Sequence, residues 1–458
     1  MMEKAYADKI NQLKAEAVTW VKLAFTDIDG VHRGKYVNIE KFISILEKGA
    51  GFCDCVLGWD INDQLYDNSE FTGWHTAFPD AKYRVDISTE RRLPDEGGMP
   101  FYLVNFVNDN GEPHPICPRS LLQGVVAKAK SMNINIKLAF EYEFFVFDET
   151  PDSIRAKNYR DLKHLTPGNF GYSLLRTNTH SELYHDFLHY CEQMNFSLEG
   201  IHCETGPGVW EAALLYDDAL AMSDKASLFK TFCKSFFQKK NLMATFMAKC
   251  SMDYPGQSGH IHQSLLDATT GESLFYDESA DHQMSPLMQH YIAGQQQYLS
   301  AFLPMCAPTI NSYTRLVKGF WAPTAATWGI ENRTTALRVI GDSAASMRVE
   351  FRLGAADANP YLAAAAIISA GLLGIENGLQ PTAAIKGNAY EQEHSLPGNL
   401  QLASNLRDAV RDFKACAEVE QVFGPQFSQH FIASRLWEVR EYEKQVTDWQ
   451  LQRYFEII

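Results

Sequence analysis

The sequence predicts an α+β chain, a small N-terminal unit followed by a large sheet-based one, and three observations predict it. Runs rich in β-branched and aromatic residues, Val18–Phe25 and Val31–Ile39, flank the turn pair Asp29-Gly30 and read as a hairpin. The stretch NDNGEPHPICP (108–118) is dense in turn residues and separates the strand-rich beginning, which runs through Phe101–Val107, from a helix starting near Arg119. Beyond it, strand patterns alternate irregularly with long helical ones, as in α+β chains. The boundary is therefore placed between residues 112 and 113, giving units 1–112 and 113–458, and 458 residues is ample for two cores.

In the larger unit, IKLAFEYEFFVF (136–147) reads as an apolar-rich strand, with later strands at Leu198–His202, Met243–Ala248 and Ser346–Leu353. Helices fill the gaps at Ser181–Met194, Ala219–Lys239 and Pro360–Asn377, the last opened by Asn359 as cap and Pro360 at the first helical position. No repeat or low-complexity segment interrupts them.

Composition narrows the function classes. Hydrophobic residues at 46% and charged residues at 21% fit a folded globular protein, and the net charge of −15 argues against a nucleic-acid surface, which needs concentrated lysine and arginine. The acidity serves solubility or leaves room for a cationic substrate. The longest apolar run, Tyr361–Gly374, is too short for a membrane span, and the charged N-terminus lacks a signal-like apolar segment. A cytoplasmic protein is expected, its nine cysteines reduced and mostly buried.

Chemistry concentrates where charges recur at spacing two, which places them on one face of a strand. Glu141 and Glu143 flank Tyr142, His260 and His262 flank Ile261, and Arg348, Glu350 and Arg352 alternate with Val349 and Phe351. Like charges in an apolar strand need neutralising cations, and a divalent metal is the simplest. Glu141, Glu143, Glu204, Glu211 and Glu350 with His260 would offer oxygen ligands and one imidazole, a donor set suited to Mg2+ or Mn2+. Any one piece alone more often decorates a solvated strand face; their recurrence together points to a site.

The segments FEYEFF (140–145), HCETGPGVWE (202–211), GQSGHIHQSL (256–265), NSYTRL (311–316), ENRTTALRV (331–339) and RVEFRLGAADANPYLAAAA (348–366) resemble, in order and spacing, those of the glutamine synthetase family. The resemblance spans nearly the whole chain. It implies a β-grasp-like N-terminal domain and a catalytic domain whose antiparallel sheet forms a funnel. It also implies homo-oligomeric rings, a dodecamer of two hexamers, with active sites between neighbours and two or more Mg2+ or Mn2+ ions per site. The substrates implied are ATP, glutamate and an amine, with no nucleic acid or membrane partner.

Matching positions carry the implied roles. Glu143, Glu204 and Glu211 match one metal site, and Glu141, His260 and Glu350 the nucleotide-side one. Tyr216, His262 and Ser264 match nucleotide contacts, with Tyr216 stacking on adenine, while Gly256, Arg315, Arg338 and Arg352 resemble the glutamate-binding group. Arg333 and Arg348 resemble the arginines that meet the transferring phosphoryl group and the ATP phosphates. Asp60, in GWDIND, aligns with an acidic residue that a neighbouring subunit contributes to the ammonium site, and is the expected base. The chemistry agrees with this set: a carboxylate must be activated before amide formation, guanidinium forks suit carboxylate and phosphate, and a protonated amine must lose a proton before it attacks.

One departure bears on the acceptor. Where glutamine synthetase proper carries a flap glutamate, RLVKGFWAPT (315–324) has Trp321. An indole suits an organic amine better than ammonium, unless it merely packs within the loop. GFWAPTAATWGIENRTTALRV (319–339) and VTDWQLQRYF (446–455) are similar to the γ-glutamylpolyamine synthetase, or glutamate–amine ligase, branch. The expected activity is therefore ligation of glutamate to putrescine or another amine. Glutamine synthesis from ammonia is the alternative, and a non-catalytic structural or regulatory ring the third reading. Asp63 and Asp67 extend an acidic entrance or belong to a solvated loop. Tyr390 stands near a position adenylylated in some bacterial relatives, but NAYEQEHSLP (388–397) departs from that segment and no modification is expected.

Overall fold

The computed structural model describes residues 2–458. Strands β1 (Trp20–Thr26), β2 (His32–Asn38), β3 (Ala50–Cys53), β4 (Asp80–Leu93) and β5 (Met99–Val107) form a mixed sheet in the order β2-β1-β5-β4-β3. Only β1 and β5 run parallel in it. The hairpin expected around Asp29-Gly30 is present. Gly30 has φ +82°, and a Cβ there would lie 3.1 Å from Asn359 Cα, so both conformation and space require glycine.

Alternation along β1 divides this sheet between two cores. Val21, Leu23 and Phe25 pack with Phe42, Ile45 and Leu46 of helix Ile39–Lys48, while Ala24 faces the core of the larger unit together with Phe101 and Leu103. Arg119 ties β4 of the smaller sheet to the larger unit. Asp224 accepts from Arg119 Nε at 2.7 Å and Nη2 at 2.8 Å, Tyr361 donates to Asp224 at 2.7 Å, and Asp86 of β4 lies 2.9 Å from the same guanidinium.

The larger sheet holds β6 (Ile134–Phe147), β7 (Leu198–Cys203), β8 (Val209–Leu214), β9 (Asp217–Asp218), β10 (Met243–Thr245), β11 (Gly259–Asp267), β12 (Trp328–Ile330), β13 (Leu337–Ile340) and β14 (Arg348–Phe351). Its main path is β12-β13-β14-β11-β6-β8-β7, with β9 and β10 both paired to β6. Along β6, Ile136, Leu138, Phe140, Tyr142 and Phe144 enter the main core, under helices that include Ala219–Lys239 and Pro360–Glu376. The alternate residues, Glu141 and Glu143 among them, face the opposite, open side. Asn359 caps its helix as expected, its Oδ1 accepting from Tyr361 N at 3.0 Å.

Several expectations need correction. The sheet is not wholly antiparallel, because β12 and β13 pair in parallel at its edge. The strand expected over residues 346–353 shortens to Arg348–Phe351, since Ser346 and Met347 close a turn onto the carbonyl of Ser343. The strand expected over 243–248 stops at Thr245. β4, which no single run in the sequence marked, is fourteen residues long. All nine cysteines are free, five of them buried. Among the described residues, no helix is long and apolar enough to cross a membrane.

His430, on helix Pro425–Glu443, is buried against Ser69, Tyr66 and Phe71 of the N-terminal unit. Burial pulls its imidazole down to about 4. An unfolded histidine titrates near 6.5, so between these values the unfolded chain binds a proton that the folded one refuses. Stability held above about pH 6.5 is therefore lost as pH falls towards 4, by up to about 3 kcal/mol from this residue. His430→Asn should flatten the acid limb of a Tm-against-pH curve; limbs of equal slope in the two proteins contradict this.

Candidate active site

Register places the charged residues in one band across the open face. On one side of the sheet His202 pairs with Glu211, which pairs with Glu143; in the middle Glu141 pairs with His260; on the other side His262 pairs with Glu350, which pairs with Arg338. Spacing of two within each strand and direct pairing between strands are sufficient to bring them together.

Two groups in this band have ligand atoms within 4.8 Å of one another: Glu141, His262 and Glu350, and His202, Glu204 and Glu211. His260 joins the first by a different nitrogen geometry, with Nδ1 3.1 Å from Glu141 and 3.4 Å from Glu350. Its Nε2 is buried without a hydrogen-bond partner among the described residues. Glu143 pairs with Glu211 in register, and its Oε2 accepts from Ser258 N at 2.7 Å, while His202 Nε2 lies 3.0 Å from Glu204 and 3.6 Å from Glu211.

The electrostatics leave the cluster short of positive charge. Burial, followed by the charges of Glu141, Glu143 and Glu204, pushes the Glu211 carboxyl up to about 10. Burial acts the same way on Glu141, but hydrogen bonds from His260 and His262 outweigh it and hold that carboxyl far below its ordinary value. Burial also opposes charge on Glu350, and the charges of His260 and Arg352 overcome it. Crowded carboxylates, an unpartnered imidazole nitrogen and an oxygen-rich donor set fit divalent cations.

Beside the carboxylates lies the cationic part. Arg352 Nη1 is 2.5 Å from Glu350 Oε1, and Arg338 Nη1 is 3.2 Å from Glu350 Oε2 while also pairing with Glu331. Arg315 is buried, and burial pulls its guanidinium down to about 10. Its two terminal nitrogens donate to the carbonyls of Leu353 and Arg352, each at 3.1 Å. Gly256 lets this arginine approach: a Cβ there would stand 2.5 Å from Arg315 Cγ.

A cavity of about 450 Å3 collects these groups, its lining including Glu141, Glu143, Glu204, Glu211, Gly256, His260, His262, Arg315, Trp321, Arg333, Arg338, Glu350 and Arg352. A larger hollow of about 690 Å3 lies between helices Pro118–Ser131 and Pro360–Glu376 but holds no converging carboxylates, so chemistry selects the smaller one.

Five residues proposed from the sequence lie outside that lining. Arg348 Nε donates to Nδ1 of His262, a lining residue, at 3.3 Å, and Ser264 donates to the Met347 carbonyl at 3.1 Å. Tyr216 is exposed beyond the end of β8. Asp60 and Asp63 belong to the N-terminal unit, where Asp60 Oδ1 accepts from the backbone of Asn62 and Gln64, both at 2.8 Å, and Asp63 is 2.5 Å from Arg33.

Sequence reasoning missed His202 and Tyr172. His202, near the end of β7, stands two residues before Glu204, so the spacing rule could have found it. Tyr172, with φ +59°, stacks on His202 at 4.3 Å and lines the cavity. It lies in a loop, where no periodicity marks a residue.

Residues 115–454 match the family model described as glutamine synthetase, catalytic domain. The chain is 44% identical to type-1 glutamine synthetase 2 of Dictyostelium discoideum over 98% of this chain and 86% of that one. It is 34% identical to glutamate–isopropylamine ligase of a Pseudomonas species over 96% and 95%. The solved structure titled apo GmaS without ligand superposes with a TM-score of 0.85 at 27% identity, covering 98% of this chain and 99% of that one. With the family model covering most of its length and two relatives above 30% identity spanning nearly all of it, the chain belongs to the glutamine synthetase family.

Proposed function

We propose that this ligase phosphorylates the γ-carboxylate of glutamate with ATP and condenses the acyl phosphate with an organic amine, putrescine or a related polyamine or monoamine. The observation that carries the choice of acceptor is the aromatic pair Phe320 and Trp321 lining the cavity that holds the carboxylate band. An indole face binds an alkylammonium by cation–π attraction and apolar contact, and provides no carboxylate to replace the water shell of ammonium. The similarity to a glutamate–isopropylamine ligase supports this reading.

In this scheme Glu143, Glu204 and Glu211, with Glu141, His260 and Glu350, hold Mg2+ or Mn2+, which supplies charge neutralisation for the ATP phosphates. Gly256, Arg315, Arg338 and Arg352 orient glutamate, and Arg333 and Arg348 meet the migrating phosphoryl group. Tyr216, His262 and Ser264 take the nucleotide. Asp60, supplied by a neighbouring copy in a cytoplasmic double-hexamer ring, accepts the proton of the incoming ammonium, with Asp63 beside it. The division of the chain at residues 112 and 113 belongs to the same proposal.

Phosphate release with ATP, glutamate and a panel of acceptors tests this. Putrescine, spermidine, ethanolamine or a monoalkylamine should saturate far below ammonia. Trp321→Glu should shift the kcat/KM ratio about tenfold towards ammonia. Saturation by ammonia at much lower concentration than any amine assigns the chain to glutamine synthesis, and absence of turnover with every acceptor favours the non-catalytic reading.

A further inference from the structure

The loop that carries Phe320 and Trp321 is held in an unfavourable shape. Gly319 has φ +82°, and Trp321, a bulky aromatic, has φ +60°, a region such residues rarely occupy without external restraint. The restraint comes from further along the chain, 69 residues beyond Thr324. Glu393 is 4% exposed and spends both carboxylate oxygens on this loop. Oε2 lies 2.6 Å from Lys318 Nζ, before the aromatic pair, and Oε1 accepts from the Thr324 hydroxyl, after it.

The segment bearing Glu393 is itself anchored. Gln401 Nε2 donates to the Glu393 carbonyl at 2.8 Å, Ala325 pairs with Gln401, and Ala326 N donates to the Leu400 carbonyl at 2.8 Å. Phe320 is steadied from beneath by Lys249, whose Nζ lies 4.4 Å from the ring centre. A single buried carboxylate thus ties both ends of the strained loop to a fixed base.

We infer that Glu393 is a positioning residue for the acceptor. By clamping Lys318 and Thr324, it holds Phe320 and Trp321 as the wall of the acceptor end of the cavity without touching substrate itself. The identity of that acceptor rests on the ligase reading above; the clamp does not.

Steady-state kinetics on the full-length protein test it, using the acceptor that the panel shows to saturate best. Glu393→Gln keeps the shape and a hydrogen-bond acceptor for Thr324 but removes the charge that holds Lys318. It should raise the acceptor KM about five- to tenfold while leaving the KM values for ATP and glutamate within about twofold. Lys318→Ala, which removes a side chain that is 59% exposed, should do the same. The double variant should be no worse than either single one, and Lys318→Arg should restore the acceptor KM.

Equal changes in all three KM values, additive effects in the double variant, or a lowered Tm with unchanged kinetics would each make Glu393 a stitch in the fold and overturn the inference. If ammonia proves the acceptor, the amine reading fails while the clamp is still judged, on the KM for ammonia.

Discussion

Glu350→Ala should lower glutamate-dependent phosphate release by about a thousandfold, some 4 kcal/mol of transition-state stabilisation. Glu350 stands where three kinds of contact meet. Its oxygens face Arg352 at 2.5 Å and Arg338 at 3.2 Å, and His260 lies 3.4 Å away. Removing it takes a carboxylate from the cation-holding group and leaves two guanidinium groups without their buried partner, so some of the loss comes from displaced arginines. Glu350→Gln separates the two effects. It preserves volume and a hydrogen-bond acceptor, so its Tm should stay closer to wild type while activity falls almost as far. Turnover undiminished in either variant would remove Glu350 from the site.

Asp60→Ala should cost about a hundredfold or more, the contribution of a positioned base, even though Asp60 does not line the cavity of its own chain. Its loop is shaped in advance. Arg33 donates to Asp63 and to the Asp60 carbonyl and lies 4.9 Å from the Trp59 ring centre, while Asp60 Oδ1 is spent on two backbone amides. Among the described residues, the other carboxylate oxygen makes no hydrogen bond. If a neighbouring copy receives it, two inactive variants should complement each other. Co-assembling Asp60→Ala with Glu350→Ala chains places an intact Asp60 beside an intact Glu350 at about one quarter of the sites, if neighbours mix at random around a closed ring. Recovery of activity on that scale supports a shared site; no recovery from fully mixed assemblies places Asp60 elsewhere in the chemistry.

The parts of this site that could be read from the sequence are those that follow strand geometry. Glu141 with Glu143, and His260 with His262, announce a shared face through spacing alone, and the apolar residues between them announce a core beneath. Glu204 and Glu211 are seven residues apart and share no strand face by spacing with each other, so resemblance to a family was needed to assign them to one metal site, and likewise to single out Asp60. His202 obeyed the rule and was overlooked, because one histidine two residues from a glutamate is common on solvated strands. Tyr172 and Glu393 could not have been read. One lies in a loop without periodicity, and the other acts across a sequence separation of 69 residues through a contact that no local pattern encodes. The same limit explains the parallel edge of the large sheet. β12 and β13 are three and four residues long, and the direction in which such short strands pair is set by the surrounding core.

In the proposed reaction ATP is spent on the carboxylate of glutamate, inside the band of carboxylates and imidazoles on the open face of the sheet. Turnover of glutamate carrying a heavy-oxygen label in its γ-carboxylate, with unlabelled ATP and the acceptor that saturates best, tests it most directly. Attack of a carboxylate oxygen on the γ-phosphoryl group leaves that oxygen on phosphate when the amine displaces it. One labelled oxygen should therefore appear in each phosphate released during amide formation. Amide formed at full rate with unlabelled phosphate would show that no acyl phosphate precedes it and would contradict the account.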